Sequence, residues 1–229
     1  MAKPSLRPPV SGPPLIQALT RLGEPAPTIG SPALPAMLGS WVDWNRAVAL
    51  ARALDGALPA ADDATPADVS VLLAERNKAR TAHAAAIDAL MSSMQAPVPA
   101  QEIVRSHAAL QRALLTSTGR LRGALRDQLA RRDEAGCRLA ELDAVMEQVL
   151  APREYRTLGA VAERVAAQLD RAAAAMPVAA DESPMIAPDE ATIRSWPAAT
   201  CAALRDLLMA ELDLRFHPID GLSAALQPN

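Results

Sequence analysis

Between Gln101 and Leu150, apolar residues recur at Ile103, Leu110, Leu114, Leu121, Leu125, Leu139, Leu142, Met146 and Val149. Most of these steps are three, four or seven residues, which predicts one face of an α-helix. Unbroken, that helix would run about 70 Å at ~1.5 Å per residue. Gly136 is its weak point, and Pro152 ends or kinks it.

The same reading predicts helices from Leu15 to Leu22, from about Pro35 to Leu58, and from Thr65 to Met94. The last of these opens on a Thr cap, Pro66 in the first turn and Asp68 near the positive end of the dipole. Further helices are expected from Arg153 to Met176, from Pro197 to Phe216, and, beyond Pro218, from Ile219 to Leu226. Prolines divide the chain into a disordered arm over 1–14, a helical region over 15–58, a long hairpin or bundle over 65–176, a linker over 177–196 and a C-terminal helical segment over 197–229. Pro97 and Pro99 leave a connection short enough for an antiparallel hairpin. No alternating β-branched run bounded by turn residues occurs, so the fold class is all-α, an elongated helical bundle with a coiled-coil-like hairpin.

Half of the 229 residues are apolar, yet only Trp41, Trp44, Trp196, Tyr155 and Phe216 are aromatic. Leu, Ala, Val and Met must therefore fill the core. Trp41 and Trp44, three apart, are the expected anchors of that core or of a subunit interface. The stripe through Leu208, Leu212 and Phe216 belongs to a core or to a partner helix.

Charge is unevenly spread. Arg105, Arg112, Arg120, Arg122, Arg126, Arg131, Arg132 and Arg138 crowd one stretch, while acids dominate beyond Asp181. Two readings stay open. Arg105, Arg112, Arg122, Arg126 and Arg132 could track phosphates and bind nucleic acid in a salt-dependent way, making DNA a possible partner. Alternatively the face is solvated or docks the acidic C-terminal region.

Catalytic chemistry is not apparent. His83, His107 and His217 have no ligand-spaced Cys, His or carboxylate companions, so they read as surface or interface histidines. No nucleophile elbow, phosphate loop or dinucleotide glycine pattern occurs. Cys137 and Cys201 read as buried thiols of a reducing compartment. The absence of a leader or of an apolar run of membrane-spanning length predicts a cytoplasmic protein that is not membrane-embedded. No cofactor and no metal are expected.

Three blocks carry a family resemblance: Ser40-Trp41-Val42-Asp43-Trp44, Arg138 through Gln148, and Ala210 through Arg215 with Pro218, Gly221 and Leu222. Together they resemble the ZorF family of type III Zorya antiphage defence systems, whose genes sit beside MotA-like and MotB/OmpA-like genes. The resemblance implies a cytoplasmic protein working next to an ion-driven inner-membrane motor. It implies no catalytic residues. The expected function is that of a non-enzymatic adaptor or effector regulator, a homo-oligomer that contacts the MotA-like motor tail or a companion defence protein. A nucleic-acid-binding effector is the alternative.

Overall fold

The computed structural model describes residues 14–21, 39, 41–57, 68–175 and 195–227. Residues 1–13 of the expected arm and 177–194 of the expected linker lie outside them, while Pro14 already opens a helix and Trp196 is packed into the core. The described residues form α1 (Pro14–Arg21), α2 (Trp44–Asp55), α3 (Val69–Ser93), α4 (Ala100–Arg132), α5 (Glu134–Ala174) and α6 (Ala198–Leu226), with no β-strand among them. The protein is an all-α bundle. At 41 residues, α5 alone is about 60 Å long.

Cross-helix bonds set the topology. Arg122 and Arg126 reach Asp143, and Gln111 reaches the Leu158 carbonyl, so α4 and α5 run antiparallel. His83 meets Ser117 and Glu75 meets Arg120, which makes α3 and α4 antiparallel as well. Arg76, Arg80 and Asp88 of α3 bind Asp220, Asp213 and Arg205 of α6 in reverse order. Therefore α6 lies antiparallel to α3, parallel to α4, and in contact with α3, α4 and α5. The shorter helices are applied from outside, α1 on α6 and α2 on α5.

The pattern from Gln101 to Leu150, with its weak point expected at Gly136, forms two helices. Its break comes at Asp133, three residues before Gly136. Asp133 takes an extended backbone and its carboxylate accepts from the Gly136 N–H at 2.6 Å, an N-cap that starts α5. That bond, followed by the one from Arg132, holds the Asp133 carboxyl below its usual range. A Cβ on Gly136 would run into the Leu129 carbonyl of α4, so the tight turn needs glycine there.

The helix expected to end or kink at Pro152 continues past it, and the one expected to end near Pro218 continues as well. An interior proline costs ~3 kcal/mol. Beyond Pro218, however, Ile219, Leu222 and Leu226 continue the stripe of Phe216 into the core. Burying each of these is worth roughly 1.5–3 kcal/mol, so burial wins.

Other boundaries shift too. α3 starts at Val69 with Asp68, not Thr65, as its cap, since Asp68 accepts from the Ser70 N–H at 2.8 Å. α2 starts only at Trp44, where Asp43 accepts from the Arg46 N–H. Trp196 pins the α3–α4 corner to the start of α6. Its ring Nε1–H donates to the Val98 carbonyl at 3.0 Å and its backbone N–H to that of Met94.

Two glycine substitutions should move stability in opposite directions. Gly136→Ala collides with α4 backbone and should lower the denaturation midpoint by about 1–3 kcal/mol equivalent. Gly119→Ala, mid-helix in open space, should raise stability by about 0.5–1 kcal/mol. Chemical denaturation followed by helical circular dichroism measures both.

Candidate interaction surface and buried polar hub

The arginine stretch turns inward more than its sequence suggests. Arg122 Nη2 lies 2.7 Å from Asp143 and Arg126 Nε lies 3.0 Å from it, while Arg126 also binds Glu147. These guanidiniums are largely shielded, and the acids they meet belong to α5, not to the acidic C-terminal region. The arginines that dock C-terminal acids from other helices include Arg76 and Arg80 of α3 and Arg21 of α1.

Arg132 binds Asp133 and donates to the Ala225 carbonyl at the end of α6. Arg138 donates to the Ala53 and Leu54 carbonyls at the end of α2. Both place positive charge at the negative end of a helix dipole. Of the five nucleic-acid candidates, Arg105 and Arg112 point outward from α4 and have no carboxylate partner among the described residues, and Arg105 Nε bonds the Gln101 carbonyl.

The apolar candidates separate as well. Leu208, Leu212 and Phe216 lie in the chain's own core, with Arg80 stacked 5.4 Å from the Phe216 ring centre. The tryptophans do not share one helical face, because Asp43 caps the helix between them. Trp41 is half-buried beneath Arg153 of α5, whose guanidinium carbon sits 4.5 Å from the ring centre. Trp44 is 80% exposed and Tyr155 is 76% exposed. In an aromatic-poor chain, this end of α2 and the neighbouring stretch of α5 carry most of the aromatic surface.

A polar hub at the junction of α4, α5 and α6 escapes the sequence reading. Glu211, 1% exposed, accepts from Gln111 Nε2 at 3.3 and 3.1 Å and from Arg215 Nε at 3.1 Å. Arg215 continues to Glu154 at 3.3 Å, and Gln111 to the Leu158 carbonyl at 3.2 Å. His107, expected at a surface or interface, is fully buried, with Nε2 4.0 Å from Glu211 and neither ring nitrogen hydrogen-bonded. Burial pushes its imidazole down to about 4. The clue was present: Glu211 interrupts an apolar run, with Arg215 one helical turn on.

Beside the hub, His83, Gln111 and Glu211 line a cavity with room for about one water. His83 Nε2 lies 2.6 Å from Ser117 Oγ, but that hydroxyl also reaches the Leu114 carbonyl at 3.1 Å. The hydroxyl has one proton for these two neighbours, and with that proton on the carbonyl Ser117 accepts from His83. Among the described residues no group of three His, Cys, Asp or Glu side chains is placed to hold a metal ion, and no helix is long and apolar enough to cross a membrane. Cys137 and Cys201 are free thiols, the first buried and the second half-buried with its acidity weakened by desolvation.

Glu211→Ala leaves Arg215 buried without its nearest counter-charge and should cost about 3–5 kcal/mol. His107 adds a pH dependence. The unfolded histidine takes a proton below its ordinary 6.5 while the folded one resists until about 4. Stability is therefore full above pH 6.5 and falls as pH drops, by roughly 3 kcal/mol at pH 4. His107→Leu should remove that slope, read as the difference between two denaturation series across pH 7 to 4.

No curated protein and no solved structure matches the chain. A family model described as a protein of unknown function, DUF3348, matches residues 1–228. The chain is a member of the DUF3348 family.

Proposed function

We propose that the protein is a non-enzymatic interaction protein of a MotA/MotB-like motor-driven antiphage defence system, an adaptor or effector regulator that works in the cytoplasm as an oligomer. The observation that carries the interaction reading is the aromatic and arginine surface where α2 lies on α5. Trp44 is exposed there, three residues from Trp41, which stacks under Arg153. Trp, Tyr and Arg are the residues that most often anchor protein interfaces.

The defence setting rests on the resemblance to the ZorF family, and the fold bears on how its blocks are used. The block at Trp41–Trp44 and the block at Arg138–Gln148 are about a hundred residues apart in sequence, yet both fall in the α2–α5 contact. The third block contains Glu211 and Arg215 of the hub. The first two blocks thus serve opposite ends of one helix contact, Trp41 under Arg153 and Arg138 on the Ala53 and Leu54 carbonyls, and the third belongs to the hub.

A nucleic-acid reading is favoured by one feature only, the outward Arg105 and Arg112 a heptad apart on α4. Retention on DNA at low salt that falls steeply with added salt would support it. The charge reversal to use is Arg105→Glu with Arg112→Glu, since Arg126 is an internal strut.

The expected result for the first reading is an oligomer in size measurements, or co-elution with the motor tail or companion protein. Trp44→Ala should weaken that association at least tenfold while leaving the melting temperature within a few degrees. A compact monomer that binds neither would overturn it.

A further inference from the structure

α2 is apolar on both of its sides. The inward side carries Ala49, Leu50 and Ala53, with Ala53 buried and its carbonyl held by Arg138 of α5. At 100° per residue, Trp44, Ala47, Val48, Ala51 and Asp55 stand on the side away from Ala53. Trp44 is 80% exposed, Ala51 and Asp55 are exposed, and Ala47 and Val48 between them are half-buried. A helix resting on one neighbour ordinarily turns charge to water on its far side. Here the outward line stays apolar from Trp44 to Ala51 and ends in a carboxylate.

Three features of that line select a second copy of this chain as its occupant. The first is size. Its largest side chain, Trp44, and the small, exposed Ala51 stand a heptad apart, on either side of Ala47 and Val48. A two-fold axis between Ala47 and Val48 sets two α2 helices antiparallel and lays each indole over the partner's Ala51. An isologous contact needs this self-complementarity, residue i meeting j and j meeting i. A different partner would need no matching recess on this chain.

Charge is the second feature. The antiparallel arrangement carries Asp55, at the carboxyl end of one α2, to the amino end of the other, where the positive end of the helix dipole favours an anion. Area is the third. Each indole can bury roughly 150–250 Å². Two of them, with the alanines and valines between, bring the contact toward the ~1,200 Å² at the low end of specific interfaces. A contact of that size forms and dissociates with protein concentration.

We propose that α2 is the homodimerisation helix of this protein: two copies pair antiparallel along Trp44, Ala47, Val48 and Ala51, each Trp44 seated on the partner's Ala51. This rests on the interaction reading above and gives it a named occupant, a second copy held through the side of α2 that α5 leaves uncovered. Pairing leaves the contact between α2 and α5 in place, because Ala53 lies on the other side.

Sedimentation equilibrium of the full-length protein from about 1 to 200 µM brackets a weak contact. The wild type should pass from monomer to dimer across that range. Ala51→Trp fills the recess while keeping Trp44 and should weaken the dimer at least tenfold, as should Trp44→Ala. Both positions are exposed, so thermal melts followed by circular dichroism should stay within a few degrees of wild type, which separates lost pairing from lost folding. Ala47→Cys lies beside the axis and should form an inter-chain disulfide on mild oxidation, beyond any background from Cys137 and Cys201. Asn45→Cys, off that face, should not.

A monomer throughout the range, a dimer indifferent to Ala51→Trp, or no disulfide through Ala47→Cys would each overturn the proposal. Binding of the motor tail or companion protein is measured on separate samples. A monomer that still binds either one leaves the interaction reading standing while the α2 dimer falls.

Discussion

Glu211 gives up nearly all contact with solvent where α4, α5 and α6 meet, and its charge has to be answered by the protein. Arg215 answers it along the same helix, Gln111 from α4, and Glu154 holds the far end of Arg215 from α5. A slide of α6 by one turn would strand the carboxylate against leucine. The alanine-rich faces around it tolerate many near-equivalent packings, so this one network supplies the register. His107, buried and unbonded beside it, is the weak member of the hub and the reason acid should loosen the bundle.

Away from the hub, the molecule uses arginine where other helical proteins use aromatic bulk. Arg76, Arg80, Arg122 and Arg126 each tie one helix to the next through carboxylates that are themselves partly shielded. A fully exposed pair is worth less than about 1 kcal/mol. Paired forks that reach two acids from one helical turn hold better, because the geometry is fixed and water is partly excluded. Arg132 and Arg138 have another task, closing the ends of α6 and α2. The dense positive stretch in the sequence is therefore divided between Arg122 and Arg126 joining α4 to α5, Arg132 and Arg138 at helix ends, and Arg105, Arg112 and Arg120 in solvent.

The all-α class and the α3–α4 hairpin were legible in periodicity and proline placement. Helix ends were less so, for physical reasons that differ from site to site. At Asp133 a local cap beat a continuous apolar period, because its carboxylate satisfies an N–H that the turn would leave bare. At Pro218 the apolar period beat the local breaker, because Ile219 and Leu222 reach the core. At Asp43 the cap divided two tryptophans that spacing alone had placed together. The fate of each arginine was hidden for a simpler reason. A charge run states how much positive charge is present, and only the fold decides which helix stands opposite.

The position of α6 has a consequence for how the polypeptide is made. It contributes more buried residues than any other helix and touches α1, α3, α4 and α5, yet it follows all of them in the chain. While the ribosome is still making it, the faces of α3, α4 and α5 that α6 will cover stay bare. The emergence of α6 thus closes a window of aggregation risk, and chaperone demand should peak just before it.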